Sequence, residues 1–136
     1  MEEKLDYLID YLNKENKENF FEIPETVEEK EKVWRCLCNI RKPNPISNEY
    51  LKIQDEYLQD RLKNKNIVDV SIIKTVDKMF EDTSIKNSDR MALWQGDITF
   101  LKIDCIVNAA NSQGLGCFQP LHNCIDNQIQ DRKSVV

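Results

Sequence analysis

The sequence predicts an α/β protein in two parts: a helical N-terminal extension over residues 1–88, then the opening of an α/β sheet over residues 89–136. Three observations lead there. Apolar residues recur at helical spacing near the start. Thr26 is followed three residues later by Glu29, the signature of a capping box. Past Ser88 the pattern changes to short apolar segments separated by Gly and Asn, the grammar of strand, crossover and parallel strand.

In the first helix Leu5, Leu8, Ile9 and Leu12 fall at i, i+3, i+4 and i+7 and share one face. The second helix starts at the Thr26 cap, carries Val33, Trp34, Leu37 and Ile40 inward, and stops near Pro43. Ser47 can cap a third helix, with Leu51, Leu58 and Leu62 on its apolar side and Tyr50 and Tyr57 flanking. Lys63-Asn64-Lys65-Asn66 ends it. The apolar run from Ile67 to Ile73 fits either a strand or a buried turn. Met91 to Gln95 is strand-like and stops at Gly96. Asp97 to Lys102 reads as a turn or short helix that Asp97 can cap. Cys105-Ile106-Val107 is the continuous apolar run of a strand buried on both faces. The N-terminal charges read as a solvated face or as a docking surface for a partner.

A chain of 136 residues holds one ordinary domain. A net charge of −5 argues against non-specific nucleic-acid binding, which needs a basic surface. It leaves room for a nucleotide-like ligand, because a pyrophosphate needs only local positive dipoles. There is no run of 18 apolar residues and no secretory leader at Met1-Glu2-Glu3-Lys4, so the expected location is cytoplasmic, away from membranes. Five cysteines, an odd number, point to free thiols or metal ligands. Cys36 and Cys38, two apart on a helix, point in different directions and read as packing residues.

Four features carry chemistry. Asn108 and Asn111 flank two alanines just past the carboxyl end of the expected buried strand, where open α/β sheets bind ligands. Their amides suit sugar hydroxyls, or equally an Asn-rich loop that satisfies its own backbone. Gly114-Leu115-Gly116 can present backbone N–H groups to an anion, or form an ordinary loop. Cys117, His122 and Cys124 bring two thiols and the only histidine within eight residues. Such ligands suit Zn2+, and three of them leave a fourth position for water or substrate. Buried thiols beside a satisfied histidine are the alternative. Asp126 follows, placed either to orient a ligand or to sit at a helix start.

Taken together, Leu93-Trp94-Gln95-Gly96-Asp97-Ile98-Thr99 and Asp104-Cys105-Ile106-Val107-Asn108-Ala109-Ala110-Asn111-Ser112 resemble the opening of a macrodomain, a three-layer α/β/α fold. The continuation from Leu115 through Cys117, Pro120, His122 and Cys124 to Asn127 is similar to the zinc-dependent branch, a sirtuin-operon-associated type of protein-ADP-ribose hydrolase found in bacteria and fungi. Some of its members are encoded beside a sirtuin-type ADP-ribosyltransferase and a lipoyl carrier protein. That branch also carries a helical extension, which matches residues 1–88.

The resemblance implies a glycosidase-type hydrolase that removes ADP-ribose from mono-ADP-ribosylated protein carboxylates, a lipoyl carrier protein being one candidate substrate. Cys117, His122 and Cys124 would hold Zn2+. Asp97 would accept from the adenine amino group and the Ile98 backbone would contact the ring. Asn111 would hold the distal ribose, with Asn108 supporting the loop and Ile125 and Asp126 beside it. Asn111 and Asp126 would be the catalytic pair, Asp126 positioning or deprotonating the nucleophile. Attack at the anomeric carbon would pass through an oxocarbenium-like state.

After Ile129 the resemblance stops, and Gln130-Asp131-Arg132-Lys133-Ser134-Val135-Val136 departs from the family. The later strands and the second glycine-rich loop are not in the sequence. This predicts an incomplete macro fold, from a truncated or frameshifted reading of a longer gene or a sequencing artefact, and leaves the activity of this length of chain in doubt. An ADP-ribose-binding module without hydrolysis and an inactive helical interaction fragment are the alternatives.

Overall fold

The structure is a computed structural model that describes residues 1–16, 20–63, 65–81, 83–114 and 116–132, with only the backbone given for 130–132. The chain divides into two compact units, one formed by Met1–Asn64 with Val107–Val136 and the other by Lys65–Ile106.

The first unit is built on three helices, α1 (Glu2–Glu15), α2 (Val27–Ile40) and α3 (Asn48–Lys63). Helix α1 packs against both others. Its predicted stripe is the centre of the core: Leu5, Leu8, Ile9 and Leu12 are buried with Trp34 and Leu37 of α2 and Tyr50, Tyr57 and Leu58 of α3. Each such side chain removed from water contributes about 1.5–3 kcal/mol. The capping box forms as expected, with Thr26 accepting from the Glu29 N–H at 3.3 Å and donating its hydroxyl to the Glu29 carboxylate at 2.7 Å. Ser47 accepts from the Tyr50 N–H at 3.1 Å and starts α3.

The face that α3 buries differs from the expected one. Tyr50 and Tyr57 are core residues, whereas Leu51 is exposed and Leu62 half-buried. With Ile53 and Leu58 the tyrosines run at i, i+3, i+7 and i+8, and their hydroxyls find partners that make burial tolerable. Trp34 donates to the Tyr50 hydroxyl at 3.0 Å, and the Tyr57 hydroxyl donates to Glu31. Ion pairs stitch the helix surfaces: Lys30 with Glu2 and Asp6, Lys4 with Glu56 and Asp60, Arg41 with Glu15, Arg61 with Glu31. Cys36 and Cys38 are half-buried on α2, and burial pushes the Cys36 thiol up. Further along, a fourth long element of this unit, helix Ile125–Arg132, buries Asp126, Asn127 and Ile129.

In the second unit a two-residue strand β1 (Val68–Asp69) pairs in parallel with β2 (Leu101–Lys102), Val68 opposite Leu101 and Asp69 opposite Lys102. The parallel pairing of an α/β sheet is therefore present, between other segments than the sequence pattern indicates. Met91 to Gln95 forms no strand; Ala92 makes a single antiparallel bridge to Thr75, and Met91 accepts from the N–H of Val76, which opens the short helix α4 (Val76–Met79), at 2.8 Å. Cys105-Ile106-Val107 is not a buried strand either. Cys105 is exposed and Val107 is 87% exposed. The physical reason is pairing: among the described residues β2 finds a partner only at Leu101 and Lys102, so no ladder reaches 105–107. The run from Ile67 to Ile73 becomes β1 and a 3₁₀ turn, with Ile67, Val70 and Ile72 exposed.

Asp69 holds this unit's strand start. Its carboxylate accepts from the Ser71 N–H at 3.0 Å and pairs with Lys102 across the ladder at 3.2 Å. The Ser71 amide first, then its hydroxyl and Lys102, hold the Asp69 carboxyl down to about 2.

Candidate metal centre

The site grows out of the loop that precedes helix Ile125–Arg132, called α5 from here on. Gly114 and Gly116 take φ of +66° and +80°, left-handed values that only glycine adopts freely. Leu115 between them lies outside the described residues, as do Asn64 of the expected helix stop and residues 133–136 of the divergent C-terminus. The loop then reverses at Gln119, whose carbonyl accepts from the His122 N–H at 3.2 Å. Cys124 gives its carbonyl to the Gln128 N–H at 3.1 Å and so opens α5.

This path brings three donors together. The ligand atoms of Cys117, His122 and Cys124 all lie within 4.8 Å of one another, and Cys117 Sγ is 3.4 Å from His122 Nδ1. In a tetrahedral centre, Zn–S bonds of about 2.3 Å and Zn–N bonds of about 2.0–2.1 Å set ligand atoms about 3.5–3.8 Å apart. Two sulfurs and an imidazole nitrogen are donors that a zinc-type ion takes, and the Cys117–His122 pair at 3.4 Å is close to that spacing, while the set as a whole spreads to 4.8 Å. Both thiols are half-buried and the imidazole is exposed.

Two side-chain-to-backbone hydrogen bonds hold the middle of the loop. The Leu121 N–H donates to Asn39 Oδ1 of α2 at 3.0 Å, and the His122 carbonyl accepts from Asn127 Nδ2 of α5 at 3.0 Å. Leu121 has a φ of +55°, a left-handed value that costs a side-chain-bearing residue about 1–2 kcal/mol. No sequence signal marks Asn39, which lies 82 residues from its partner. Asn127 could have been suspected only as a polar residue beside Asp126.

Asp126 is buried in the first turn of α5, where a carboxylate meets the positive end of the helix. Asn108 donates to its Oδ1 at 2.7 Å, so these two expected site residues are in contact. The Oδ1 of Asn108 is buried and unpaired among the described residues. Asn111 folds onto its own loop, donating to the Gly116 carbonyl at 2.6 Å and accepting from the Gln113 N–H at 3.1 Å. Ile125, at the start of α5, is exposed.

Asp97 and Ile98 belong to the other unit. Asp97 caps the 3₁₀ turn Ile98–Phe100, accepting from the Thr99 N–H at 3.0 Å and the Thr99 hydroxyl at 2.7 Å. Ile98 is half-buried behind it. Just before, Gly96 is required by a close approach, since a Cβ there would meet the Trp94 ring at 2.4 Å.

No family model matches the chain. Individual relatives do. The chain is 40% identical over 133 residues, 97% of its length, to the protein-ADP-ribose hydrolase of Staphylococcus aureus strain Mu50. It is 44% identical over 124 residues, 90% of its length, to the protein-ADP-ribose hydrolase of Treponema medium. It is also 40% identical over 95 residues to a probable bifunctional ADP-ribose hydrolase/ADP-ribosyltransferase of Fusarium oxysporum f. sp. cubense. The matched stretches make up 46%, 45% and 16% of these proteins, so the chain spans about half the length of the bacterial relatives. A match over 133 residues takes in the N-terminal helices together with the Cys/His loop. Among the described residues no helix is long and apolar enough to cross a membrane.

Proposed function

We propose that the chain carries part of a zinc-dependent hydrolase that removes ADP-ribose from mono-ADP-ribosylated protein carboxylates. The observation that carries this reading is the convergence of the Cys117, His122 and Cys124 donors within 4.8 Å, with the His122 residue exposed. The relatives named protein-ADP-ribose hydrolase support the reaction class. On this reading residues 1–88 are a helical extension and residues 89–136 are macrodomain sequence. The protein acts in the cytoplasm, with a lipoyl carrier protein among its candidate substrates.

Cys117, His122 and Cys124 would hold the ion. When bound it would polarise a ribose hydroxyl or the scissile ester, or acidify a water. The chain's own groups then have distinct tasks. Asp126, which accepts a hydrogen bond from Asn108, would accept a proton or fix a ribose hydroxyl. Asn111 would turn from its loop carbonyl to the distal ribose. Asp97 and the Ile98 backbone would take the adenine, and Ile125 would line the site beside Asp126.

The test compares wild type with Cys117→Ala and His122→Ala. Zinc content is measured by elemental analysis and ADP-ribose release from a peptide ADP-ribosylated on glutamate by chromatography. Stoichiometric zinc and release in wild type, both lost in the variants, are expected. Retained zinc and full release in the variants would sink the assignment. ADP-ribose binding without release would instead identify a recognition module.

A further inference from the structure

The geometry points to Asn39 and Asn127 as positioning residues for the Cys117–His122–Cys124 centre, together fixing the backbone that aims the His122 ring. The inference rests on the metal-site reading above. It adds that the N-terminal helices, through Asn39, are the seat on which the centre is built.

The two bonds bracket one short stretch of chain. Asn39 Oδ1 holds the N–H that enters Leu121, and Asn127 Nδ2 holds the carbonyl that leaves His122, each at 3.0 Å. Between them lie all the backbone torsions of residues 121 and 122. One of these is the left-handed φ of Leu121, a conformation that a leucine keeps only where its surroundings impose it. His122 follows directly, so this torsion sets where the imidazole points toward Cys117 and Cys124.

Both amides are buried, Asn39 at 7% and Asn127 at 0% exposure. A buried amide is unfavourable unless hydrogen-bonded, and each is used here on the loop. Asn127 also keeps its Oδ1 buried without a hydrogen-bond partner among the described residues, a cost that a purely structural apolar residue would avoid. Asn39 is anchored in turn, because α2 carries Trp34 and Leu37 into the core. The loop itself is exposed over Phe118 to Asn123 and buries no side chain that would hold it independently. Groups that orient metal ligands from behind typically change affinity by about 10–100-fold.

The chemistry of the two bonds is opposite, and this makes the inference testable. Asn39 acts as an acceptor, which aspartate reproduces. Asn127 acts as a donor, which aspartate lacks. The experiment measures zinc affinity of the full chain by competition with a chromogenic chelator, and the ligand-field spectrum of the cobalt(II) form. The variants are Asn39→Leu, Asn39→Asp and Asn127→Asp, with helical circular dichroism monitoring the fold. Asn39→Leu and Asn127→Asp should lose about 10–100-fold in affinity with an altered cobalt spectrum, and Asn39→Asp should stay near wild type.

Wild-type affinity and spectrum in both Asn39→Leu and Asn127→Asp would overturn the inference while Cys117→Ala still abolishes binding and upholds the metal site. Should Asn39→Leu loosen the helices, Asn127→Asp decides alone, and unchanged binding there overturns the inference. A wild-type chain that binds neither metal overturns the inference and the metal-site reading together.

Discussion

Trp34 and Tyr50 are joined by a 3.0 Å hydrogen bond inside the three-helix core, the indole N–H donating to a phenol oxygen on a helix sixteen residues further on. Both rings are almost completely buried, so the indole N–H depends on that hydroxyl. Cys38 Sγ also lies 4.0 Å from the same hydroxyl. Tyr50→Phe should therefore leave a buried indole N–H without a partner and destabilise the chain by about 1–3 kcal/mol. Urea unfolding followed by circular dichroism measures it; an unchanged midpoint would show that water reaches the indole.

The same burial sets an alkaline limit. Desolvation first, with the nearby Cys38 thiol adding to it, raises the Tyr50 phenol far above its ordinary value. A group whose folded pKa is raised contributes stability that is complete below the unfolded value, about 10 for tyrosine, and is lost as pH climbs above it. Wild type should lose stability above pH about 10 more steeply than Tyr50→Phe, as read from unfolding curves across that range.

At the acid end the relevant pair is Lys4 and Asp60, which joins α1 to α3 at 2.8 Å. Lys4, then Lys63, hold the Asp60 carboxyl down to about 2. Because this folded pKa is depressed, its stabilisation is complete above the unfolded value of about 3.9 and fades as pH falls toward 2. Asp60→Asn should be less stable than wild type at neutral pH and converge with it in acid. Urea midpoints at a series of pH values, read from helical circular dichroism, decide the matter; a gap that stays constant with pH would contradict the assigned pairing.

Thr26 accounts for the start of α2. Thr26→Ala removes both bonds with Glu29 and should cost about 1 kcal/mol, whereas Thr26→Ser should keep most of the stability. Thermal unfolding of the two variants separates the cap hydroxyl from the methyl group.

Metal loading should stabilise the fold by mass action. At a free zinc concentration one hundred times Kd the expected gain is about 2.7 kcal/mol, seen as a rise in Tm that chelation reverses. Cys124→Ala should abolish the rise. An equal rise in that variant would place the ion elsewhere.

The N-terminal helices were legible because their determinants are local. The stripe of Leu5, Leu8, Ile9 and Leu12 and the Thr26–Glu29 box lie within a few residues of one another. The phase of α3 was not, since Tyr50 and Tyr57 can face water or core equally well until α1 and α2 supply partners for their hydroxyls. The β1–β2 pairing joins positions 33 residues apart, as the Asp69–Lys102 bond shows, and no periodicity encodes such a distance. At the candidate centre the three metal donors were readable as residue types at short spacing. Their backbone supports were not, because Asn39 looks like any polar residue near a helix end.

The Asn39–Leu121 bond also orders events in time. A chain leaves the ribosome from its N-terminus, and domains form as their parts emerge. Every member of the buried helical cluster lies between Leu5 and Leu58, so that core is complete in sequence long before Cys117 is synthesised. The Cys/His loop thus emerges after the helical sequence that carries Asn39, whose side-chain Oδ1 accepts from its Leu121 N–H. On the metal-site reading, the donors of Cys117, His122 and Cys124 meet their ion only after the helical sequence that supports them has been made.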